Sequence, residues 1–314
     1  MASFLSAAAT SVLPFEMAGM IVQRLLVVIL LVGLLGCRST SQTHEPSAPG
    51  TTGTLVYTCL SGEFWQLWIG SVGEKPQQLT LTPVDKKRPR WSNQGDRLVY
   101  QTNNGEIFLI NADGTSEVQT VAELGVATEP AWANDDRSLF LTVFRSSLRE
   151  DSEIWQSPLG DGTPQRLTSE VGLQYNPAPS PDGRWVVYTS GAGETTHELW
   201  RIGPDGSTPL QLTDNLVFDI LPRWSPDGDV IAFSSNQKGN YDLWRIDADG
   251  GSLQQLSDYA GLDTGPAWSP DGQWLAFESN REGQVQIWIM PAAGGEPRCV
   301  SPAELICRNV DWGP

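Results

Sequence analysis

Three charged side chains occupy the same place in a repeated motif of this chain, and they could act as acids or bases. Lys86, Asp219 and Asp263 each precede a proline by three residues. Carboxyl groups and an amine that converge on one substrate can donate and accept protons while a glycosidic or similar bond is broken. One hypothesis is therefore an enzyme that acts on a polysaccharide or small ligand. The sequence does not set the separation of the three groups.

Other patterns that carry chemistry are missing from the sequence. It has no G-x-S-x-G, no H-E-x-x-H and no P-loop motif. Its two histidines are His44 and His197, whereas a metal site draws on several converging ligands. The segment Asp247-Ala248-Asp249-Gly250 resembles a calcium loop, but turn chemistry explains Asp and Gly there without an ion. We therefore expect no metal and no cofactor.

The candidate residues belong to a repeat with a period of 41 to 47 residues. A proline marks each unit, with valine in the last: Pro89, Pro130, Pro177, Pro222, Pro266 and Val310. A hydrophobic pair marks the third strand of each unit: Leu67-Trp68, Ile107-Phe108, Ile154-Trp155, Leu199-Trp200, Leu243-Trp244 and Ile287-Trp288. A closing pair recurs as Leu79-Thr80, Leu167-Thr168, Leu212-Thr213, Leu256-Ser257 and Val300-Ser301.

The unit around Pro266 indicates how each repeat folds. A Ser-Pro-Asp-Gly turn over 269–272 separates two apolar runs, and an Asp-Gly pair there favours a hairpin because glycine accepts positive φ. Two further runs complete four antiparallel strands. Four strands in a repeat of this length are typical of a β-propeller. The six third-strand pairs predict an all-β fold with six blades.

The two ends of the repeat region predict how the ring closes. Residues 54–57 match the second strand of a unit, and residues 310–312 match a first strand. The last blade would therefore combine the C-terminal strand with the first three strands of the propeller, 54–314. Such closure leaves no open sheet edge between the first and last blades.

The pattern P-x-W-S-P-D-G-x-x-L-A-F-x-S, followed by L-W, D-G-G and Q-L-T, resembles the TolB-type propeller repeat, a relative of WD-type repeats. The resemblance covers 54–314 and is weakest after Pro130, where Asn134-Asp135-Asp136 replaces the Pro-Asp-Gly turn. It implies a role in docking, because TolB docks an envelope lipoprotein. The smaller α/β domain of TolB has no counterpart before these repeats, so functions of that domain are not carried over.

Residues that break the repeat near the start of the first strand are candidates for binding. In a propeller the first strand lines the central channel, so the residues just before it surround one opening. Asp219 and Asp263 match the Asp that precedes this proline in TolB-type repeats. The candidates are Lys86, Lys87, Arg88, Glu129, Tyr175, Asn176, Asp219, Asp263 and Arg308. They could recognise a protein or peptide, or they could form a solvated rim.

The N-terminal segment predicts a lipid anchor. An apolar run over 21–35 ends in Leu34-Leu35-Gly36-Cys37, which resembles the lipobox of bacterial lipoprotein precursors. We expect a cleaved signal peptide over 1–36, lipidation at Cys37 and a polar tether over 37–53. A plain membrane-anchor helix or an ordinary secretory signal is the alternative. The expected location is the extracytoplasmic face of a membrane.

Composition and charge narrow the class of partner. The chain has 13 Trp, 31 Gly, 22 Pro and only 18% charged residues, which fits a β-rich body. Its net charge of −17 argues against nucleic acid, whose phosphates require clustered Lys and Arg. We expect a monomer whose partner is a protein, peptide or glycan of the envelope.

The cysteines allow one specific prediction. If Cys37 carries lipid, then Cys59, Cys299 and Cys307 remain in an oxidising compartment. Alignment of the repeats places Cys59 at the end of a second strand and Cys307 just before the paired first strand. We expect a Cys59–Cys307 disulfide across the ring closure, with Cys299–Cys307 as the alternative.

The favoured hypothesis for the function is a non-catalytic, membrane-anchored binding scaffold. The alternative is an enzyme acting on an envelope polysaccharide or small ligand at the channel mouth.

Overall fold

The computed structural model describes residues 51–145, 150–191 and 196–314. The signal segment 1–36, Cys37 and the tether as far as residue 50 lie outside these ranges. No helix within them is long and apolar enough to cross a membrane. In the described part of the chain, almost all regular structure is β-strand, with one short 3-10 helix over Ala122–Leu124.

The chain folds as consecutive antiparallel meanders of four strands. Three of them are separate sheets with strands in chain order. The first comprises β4 (Lys86–Trp91), β5 (Arg97–Thr102), β6 (Ile107–Asn111) and β7 (Val118–Thr120). The second comprises β16 (Asp219–Trp224), β17 (Val230–Ser235), β18 (Asp242–Asp247) and β19 (Gln254–Gln255). The third comprises β20 (Asp263–Trp268), β21 (Trp274–Ser279), β22 (Gln286–Pro291) and β23 (Arg298–Cys299).

Two further meanders form one sheet of eight strands. One comprises β8 (Ala127–Trp132), β9 (Ser138–Phe144), β10 (Ser152–Pro158) and β11 (Gln165–Arg166). The other comprises β12 (Leu173–Pro179), β13 (Val186–Gly191), β14 (Glu198–Ile202) and β15 (Leu210–Gln211). They are joined by a parallel bridge between Ser152 and Leu173, at the start of β10 and β12.

The remaining sheet joins the two ends of the described chain. Its strand order is β24 (Cys307–Gly313), β1 (Thr54–Ser61), β2 (Phe64–Ser71) and β3 (Gln77–Gln78). Thr54 lies opposite Gly313, and Cys59 lies opposite Cys307. The predicted ring closure by the C-terminal strand is therefore present, and it buries the edge that β1 would otherwise expose.

The hairpin after each first strand follows from the turn chemistry. In the turn 269–272, Gly272 has φ 68°, and its N–H donates to the Ser269 carbonyl at 2.9 Å. The Ser269 hydroxyl also accepts the N–H of Trp274 at 2.9 Å, which starts β21. Because only glycine adopts this φ without a steric cost, Asp-Gly ends one strand and begins the next.

The core lies between consecutive sheets rather than inside any one of them. Leu55 and Tyr57 of β1 pack with Ile287 and Ile289 of β22 in one buried cluster. The other buried clusters likewise combine residues of neighbouring meanders. Each sheet therefore depends on its two neighbours to bury its faces, which is the packing of a β-propeller.

The first strand of each meander lies innermost. We call β4, β8, β12, β16, β20 and β24 the inner strands. Consecutive inner strands lie side by side, and β24 lies beside β4, so the inner strands surround a central channel. Each inner strand begins three or four residues before the proline of its repeat, or before Val310 in β24. Lys86, Glu129 and Asp219 therefore lie within inner strands, whereas the repeat pattern predicted them just before these strands.

Candidate functional site

The central channel has two chemically different ends. Inner strands begin at one end, which we call the mouth end. They finish at the other, the turn end, where the Ser-Pro-Asp-Gly type hairpins lead into the second strands. The sequence-predicted site residues belong to the mouth end.

Every inner strand has a β-bulge near the mouth end. The register with the second strand shifts between Lys87 and Arg90 in β4, and equivalent shifts occur in the other inner strands. The residue before the repeat proline has a left-handed φ in all of them. These residues are Arg88, Glu129, Asn176, Leu221, Gly265 and Asn309. A bulge turns the strand locally and re-aims the neighbouring side chains.

The backbone N–H of each bulge residue donates to a side chain of the preceding meander. In three cases the acceptor is the preceding bulge residue itself. Asn309 Oδ1 accepts from Arg88, Glu129 Oε2 accepts from Asn176 at 2.6 Å, and Asn176 Oδ1 accepts from Leu221 at 3.2 Å. These bonds link neighbouring inner strands directly around the channel.

In the other three cases the bulge residue of the preceding meander cannot accept, because it is Arg88, Leu221 or Gly265. The acceptor is then a residue on the second strand of that meander. Gln101 accepts from Glu129, Ser234 from Gly265 at 2.9 Å, and Glu278 from Asn309 at 2.9 Å. The channel wall is therefore held together by polar contacts between sheets at the depth of the candidate residues.

Arg88 and Glu129 form an ion pair between neighbouring inner strands, with 3.2 Å between Arg88 Nη2 and Glu129 Oε1. Both side chains are mostly buried. Glu129 also accepts from the Thr142 hydroxyl at 2.9 Å. Two of the candidate binding residues, one basic and one acidic, are thus paired with each other along the channel wall.

The structure argues against the hypothesis of an open acid–base set, because the side chains of Lys86, Asp219 and Asp263 are all buried. Lys86 Nζ donates to the Thr82 hydroxyl at 2.6 Å, and burial lowers its pKa. Asp219 accepts from Asn215 at 2.7 Å, and burial raises its pKa. Both carboxylate oxygens of Asp263 accept from Arg281 Nη2. No hydrogen bond or ion pair joins any two of the three within the described residues.

Tyr175 contacts His197, a pairing that the sequence did not indicate. The Tyr175 hydroxyl is hydrogen-bonded to His197 Nδ1, and the His197 ring also packs against Phe218. Burial lowers the pKa of His197 and raises that of Tyr175. Both shifts favour neutral side chains, so this group is a packed polar contact beneath the mouth.

The outer part of the mouth end is more exposed. The Arg308 guanidinium lies 5.4 Å from the centre of the Trp65 ring, which fits a cation–π contact. Leu81, Val171 and Leu216 are 82%, 78% and 89% exposed, the highest values of any large hydrophobic residue in the described ranges. All three lie in loops that lead directly into inner strands.

These residues share the mouth end of the propeller. We call the following set the mouth surface: Lys87, Arg88, Glu129, Arg308, Leu81, Val171 and Leu216. Tyr175 is not included because its hydroxyl is bonded to His197 beneath the mouth. Asn176 is excluded because it is 4% exposed and occupied by the contact to Leu221.

The turn end contains a cavity of about 380 Å³ that the sequence analysis missed. Its charged lining residues are Arg90, Arg223 and Asp311. Each is the middle residue of a P-x-W or V-x-W motif, and the equivalents in the other inner strands are Ala131, Ala178 and Ala267. The sequence contained a signal, because the middle residue varies between neighbours that recur in most units, but it did not show that this residue points into the channel.

Asp311 and Arg90 interact with each other and with the neighbouring backbone. Asp311 Oδ2 accepts the N–H of Trp91 at 2.9 Å, and Arg90 Nη1 donates to the carbonyls of Pro89 and Val310 at 2.8 and 3.5 Å. Burial lowers the pKa of Arg90, while Asp311 raises it. Burial raises the pKa of Asp311, while Arg90 lowers it.

The structure contains a disulfide between Cys59 and Cys307, the pair expected from the repeat register. The two residues lie directly opposite each other on β1 and β24, with both side chains buried. Cys299 lies on the outer strand β23, where its Sγ is 3.7 Å from the Ser301 carbonyl oxygen. The alternative Cys299–Cys307 pairing is therefore not the one present.

In the described part of the chain, no group of three or more His, Cys, Asp and Glu side chains is placed to hold a metal ion.

Comparisons with known proteins agree with the geometry. Residues 215–314 match the family model of the TolB β-propeller domain. Over 120 residues, the chain is 32% identical to a protein TolB homolog of Chlorobium chlorochromatii (strain CaD3), a match that covers 38% of this chain. That match spans 26% of the curated relative's length. The resemblance to the TolB-type repeat predicted from the sequence is confirmed.

Two solved structures share the fold. TolB from Acinetobacter baumannii superposes with a TM-score of 0.73 at 20% identity, covering 84% of this chain and 67% of that one. A putative TolB from Agrobacterium tumefaciens gives 0.67 at 20% identity, covering 84% and 99%. At this identity the likeness shows the β-propeller fold alone.

Proposed function

We propose that this chain is a non-catalytic binding scaffold, anchored by lipid on the extracytoplasmic side of a bacterial membrane, and that its mouth surface docks a protein of the cell envelope. The similarity to TolB-type propellers supports a partner from the envelope. The resemblance of Leu34-Leu35-Gly36-Cys37 to a lipobox and the polar segment that follows it support the anchor.

The exposure of Leu81, Val171 and Leu216 is the observation that carries this proposal. Exposed aliphatic side chains that gather at one end of a protein mark sites of protein association, because burial against a partner removes them from water. Loops at one end of a rigid propeller can present them without strain, because the sheets below determine where the loops lie. Arg308, stacked on Trp65, adds a charged group at the same end.

The position of the tether supports an accessible mouth surface. Trp312 Nε1 donates to the Thr52 carbonyl at 3.1 Å, so the chain enters β1 from the turn end. The described chain therefore enters the propeller at the end of the channel opposite the mouth surface.

We further propose that the propeller has six blades. The sheet of eight strands consists of two complete meanders joined at a single parallel bridge, so we count it as two blades. The ring of inner strands from β4 to β24 supports the same count.

The alternative, an acid–base enzyme at the mouth, has less support. Its three residues are buried and engaged separately: Lys86 with the Thr82 hydroxyl, Asp219 with Asn215 and Asp263 with Arg281. A substrate would have to displace these contacts before it could reach the groups.

Site-specific photo-crosslinking in cells tests the proposal. The full chain would carry a photoreactive residue at position 216, or at position 253 on the outer edge as a comparison. The triple variant Leu81→Ser, Val171→Ser, Leu216→Ser would be matched with Val118→Ser, Leu210→Ser, Leu253→Ser, whose native residues are also exposed but lie on or beside outer strands.

We expect a discrete envelope protein to crosslink at position 216, to be lost in the first triple variant and to be retained in the second. Crosslinking at position 253 alone would place the binding surface elsewhere. Equal crosslinking in both triple variants would overturn a role for the mouth surface.

A further inference from the structure

The cavity at the turn end, which we call the turn pocket, lies at the opposite end of the channel from the mouth surface. Its volume of about 380 Å³ is near the lower limit for small-molecule sites, which range from roughly 300 to 1,000 Å³. It is lined by the ends of all the inner strands. A compact ligand fits this space, whereas a folded partner does not.

The residue that follows the repeat proline determines how much space each inner strand leaves in the pocket. Ala131, Ala178 and Ala267 leave space in the channel, and Arg90 and Arg223 extend from other inner strands into the lining. Arg90 is on β4 and Arg223 on β16, and two inner strands separate them in either direction around the ring. The two guanidinium groups therefore approach the pocket from opposite sides.

Other polar side chains in the lining are hydrogen-bonded within their own turns. The hydroxyls of Ser92, Ser180 and Ser269 donate to the aspartates of their own hairpins. These groups are held by local turn geometry, as expected for Ser-Pro-Asp-Gly sequences. The guanidinium groups are the strongest donors that remain for a ligand.

Arg223 is the more available of the two. Its Nη1 donates to the carbonyl of Pro222 at 2.8 Å, and no carboxylate in the described ranges forms an ion pair with it. A guanidinium has five N–H donors in a planar arrangement that matches oxyanions. Among the described residues that line the pocket, Asp311 is the only one with a carboxylate, and it already accepts from Trp91.

We propose that the turn pocket binds a small anion with two or more oxyanion groups, held between Arg90 and Arg223. Carboxylates and phosphates share the required chemistry, because each presents paired oxygens to a guanidinium. The pocket does not result from a generally basic surface, since the chain as a whole has a net charge of −17. This site is independent of protein docking at the mouth surface.

Isothermal titration of the full chain with succinate, citrate or pyrophosphate, at constant ionic strength, tests the proposal. Fluorescence provides a second readout because Trp91, Trp132, Trp224, Trp268 and Trp312 line the pocket. We expect saturable binding of at least one probe with a millimolar or tighter Kd. The probe that binds distinguishes a dicarboxylate, a tricarboxylate and a phosphate ligand.

Arg223→Gln should weaken binding about tenfold or more, the usual effect of losing hydrogen bonds to a charged group. It should leave the fold intact because the native side chain bonds only to its own strand. Asp311→Asn keeps an acceptor for Trp91 but removes the negative charge, so binding should become tighter. Arg245→Gln is the matched control, since Arg245 lies on β18 and contacts Gln254 instead.

Absence of saturable binding by all three probes would overturn the proposal. So would equal affinity in Arg223→Gln and Arg245→Gln, which would assign the bound anion to another surface. The triple serine variant of the mouth surface should bind the anion normally, which separates this test from that of protein docking.

Discussion

Asn309 Oδ1 accepts a hydrogen bond from the backbone N–H of Arg88 at 3.3 Å, although 221 residues separate the two in sequence. The bond joins the last inner strand to the first, at the same depth where Glu129 and Asn176 make equivalent contacts. Ring closure therefore reproduces the contact found between sequence neighbours. The same polar arrangement is completed from the two ends of the chain.

Asn309→Gly should lower the free energy of unfolding by about 1 to 2 kcal/mol, because the N–H of Arg88 loses its acceptor. Glycine keeps the left-handed backbone, as Gly265 does at the equivalent position, so strain is not introduced. Urea unfolding of the variant and the wild type measures the difference. No loss of stability would show that water replaces the contact.

A second substitution should restore part of this loss. Thr58 occupies the place on β1 that Gln101 occupies on β5, and Gln101 supplies the acceptor where the bulge residue cannot. Thr58→Gln combined with Asn309→Gly should therefore recover stability relative to Asn309→Gly alone. Thr58→Gln in the wild-type background is the control, and a gain there of the same size would contradict the explanation.

Replacing Cys59 and Cys307 together by alanine should lower the free energy of unfolding by about 2 to 5 kcal/mol. The bond closes a loop with a sequence separation of 248, so the unfolded chain gains considerable freedom when it is absent. Cys299→Ala is the comparison, and urea unfolding with and without a reductant is the measurement. An equal loss in Cys299→Ala would argue against a special role for ring closure.

Arg281→Ala should destabilise the fold by about 3 to 5 kcal/mol, because Asp263 would remain buried without its partner. The Arg281 side chain also lies over the rings of Tyr259 and Trp288, and these contacts would be lost as well. Adding Asp263→Asn should recover part of the loss by removing the uncompensated charge. Thermal unfolding of the single and double variants checks this, and a double variant as unstable as Arg281→Ala would refute it.

Asp219 should make stability depend on pH. Burial raises its pKa in the folded state above the ordinary value of 3.8. Its contribution is therefore fully present below that value and is lost as pH rises through the folded-state pKa. Asp219→Asn should be more stable than the wild type at neutral pH, and the difference should shrink on acidification below about pH 4.

Melting curves between acidic and neutral pH provide this comparison. Asp263→Asn serves as the control, because it breaks the pair with Arg281 and should lose stability at neutral pH. A neutral-pH loss of stability in Asp219→Asn would show that the ionised carboxylate is favourably solvated in the fold.

The repeat explains why so much of the architecture could be predicted from the sequence. Pro266, the Ser-Pro-Asp-Gly turn and Ile287-Trp288 report on local backbone and strand faces, which depend on nearby residues. The pairing of Cys59 with Cys307 followed from the same periodicity, since equivalent positions in each unit pair with each other. The match between the ends of the chain was enough to predict closure by β24.

Other features depended on where side chains point, which the periodicity alone did not reveal. Lys86, Asp219 and Asp263 interrupt the repeat in sequence, yet packing between sheets buries them and supplies separate partners. Two positions differ together between units: Asn309 at the bulge is combined with Thr58 on the second strand, whereas Gly265 is combined with Glu278. The sequence shows this difference, but only the bulge explains why one position supplies the acceptor when the other cannot.

The sequence by itself determined the repeated β-meander, its closure and the cysteine pair, because each follows from local turn chemistry and a constant register. Only the tertiary structure showed which end of the channel contains a cavity. Arg90 and Arg223 became neighbours of one cavity because the ring brings distant inner strands together, whereas burial between sheets removed Asp219 from the mouth. Contacts between units that are far apart in the chain cannot be read from a period.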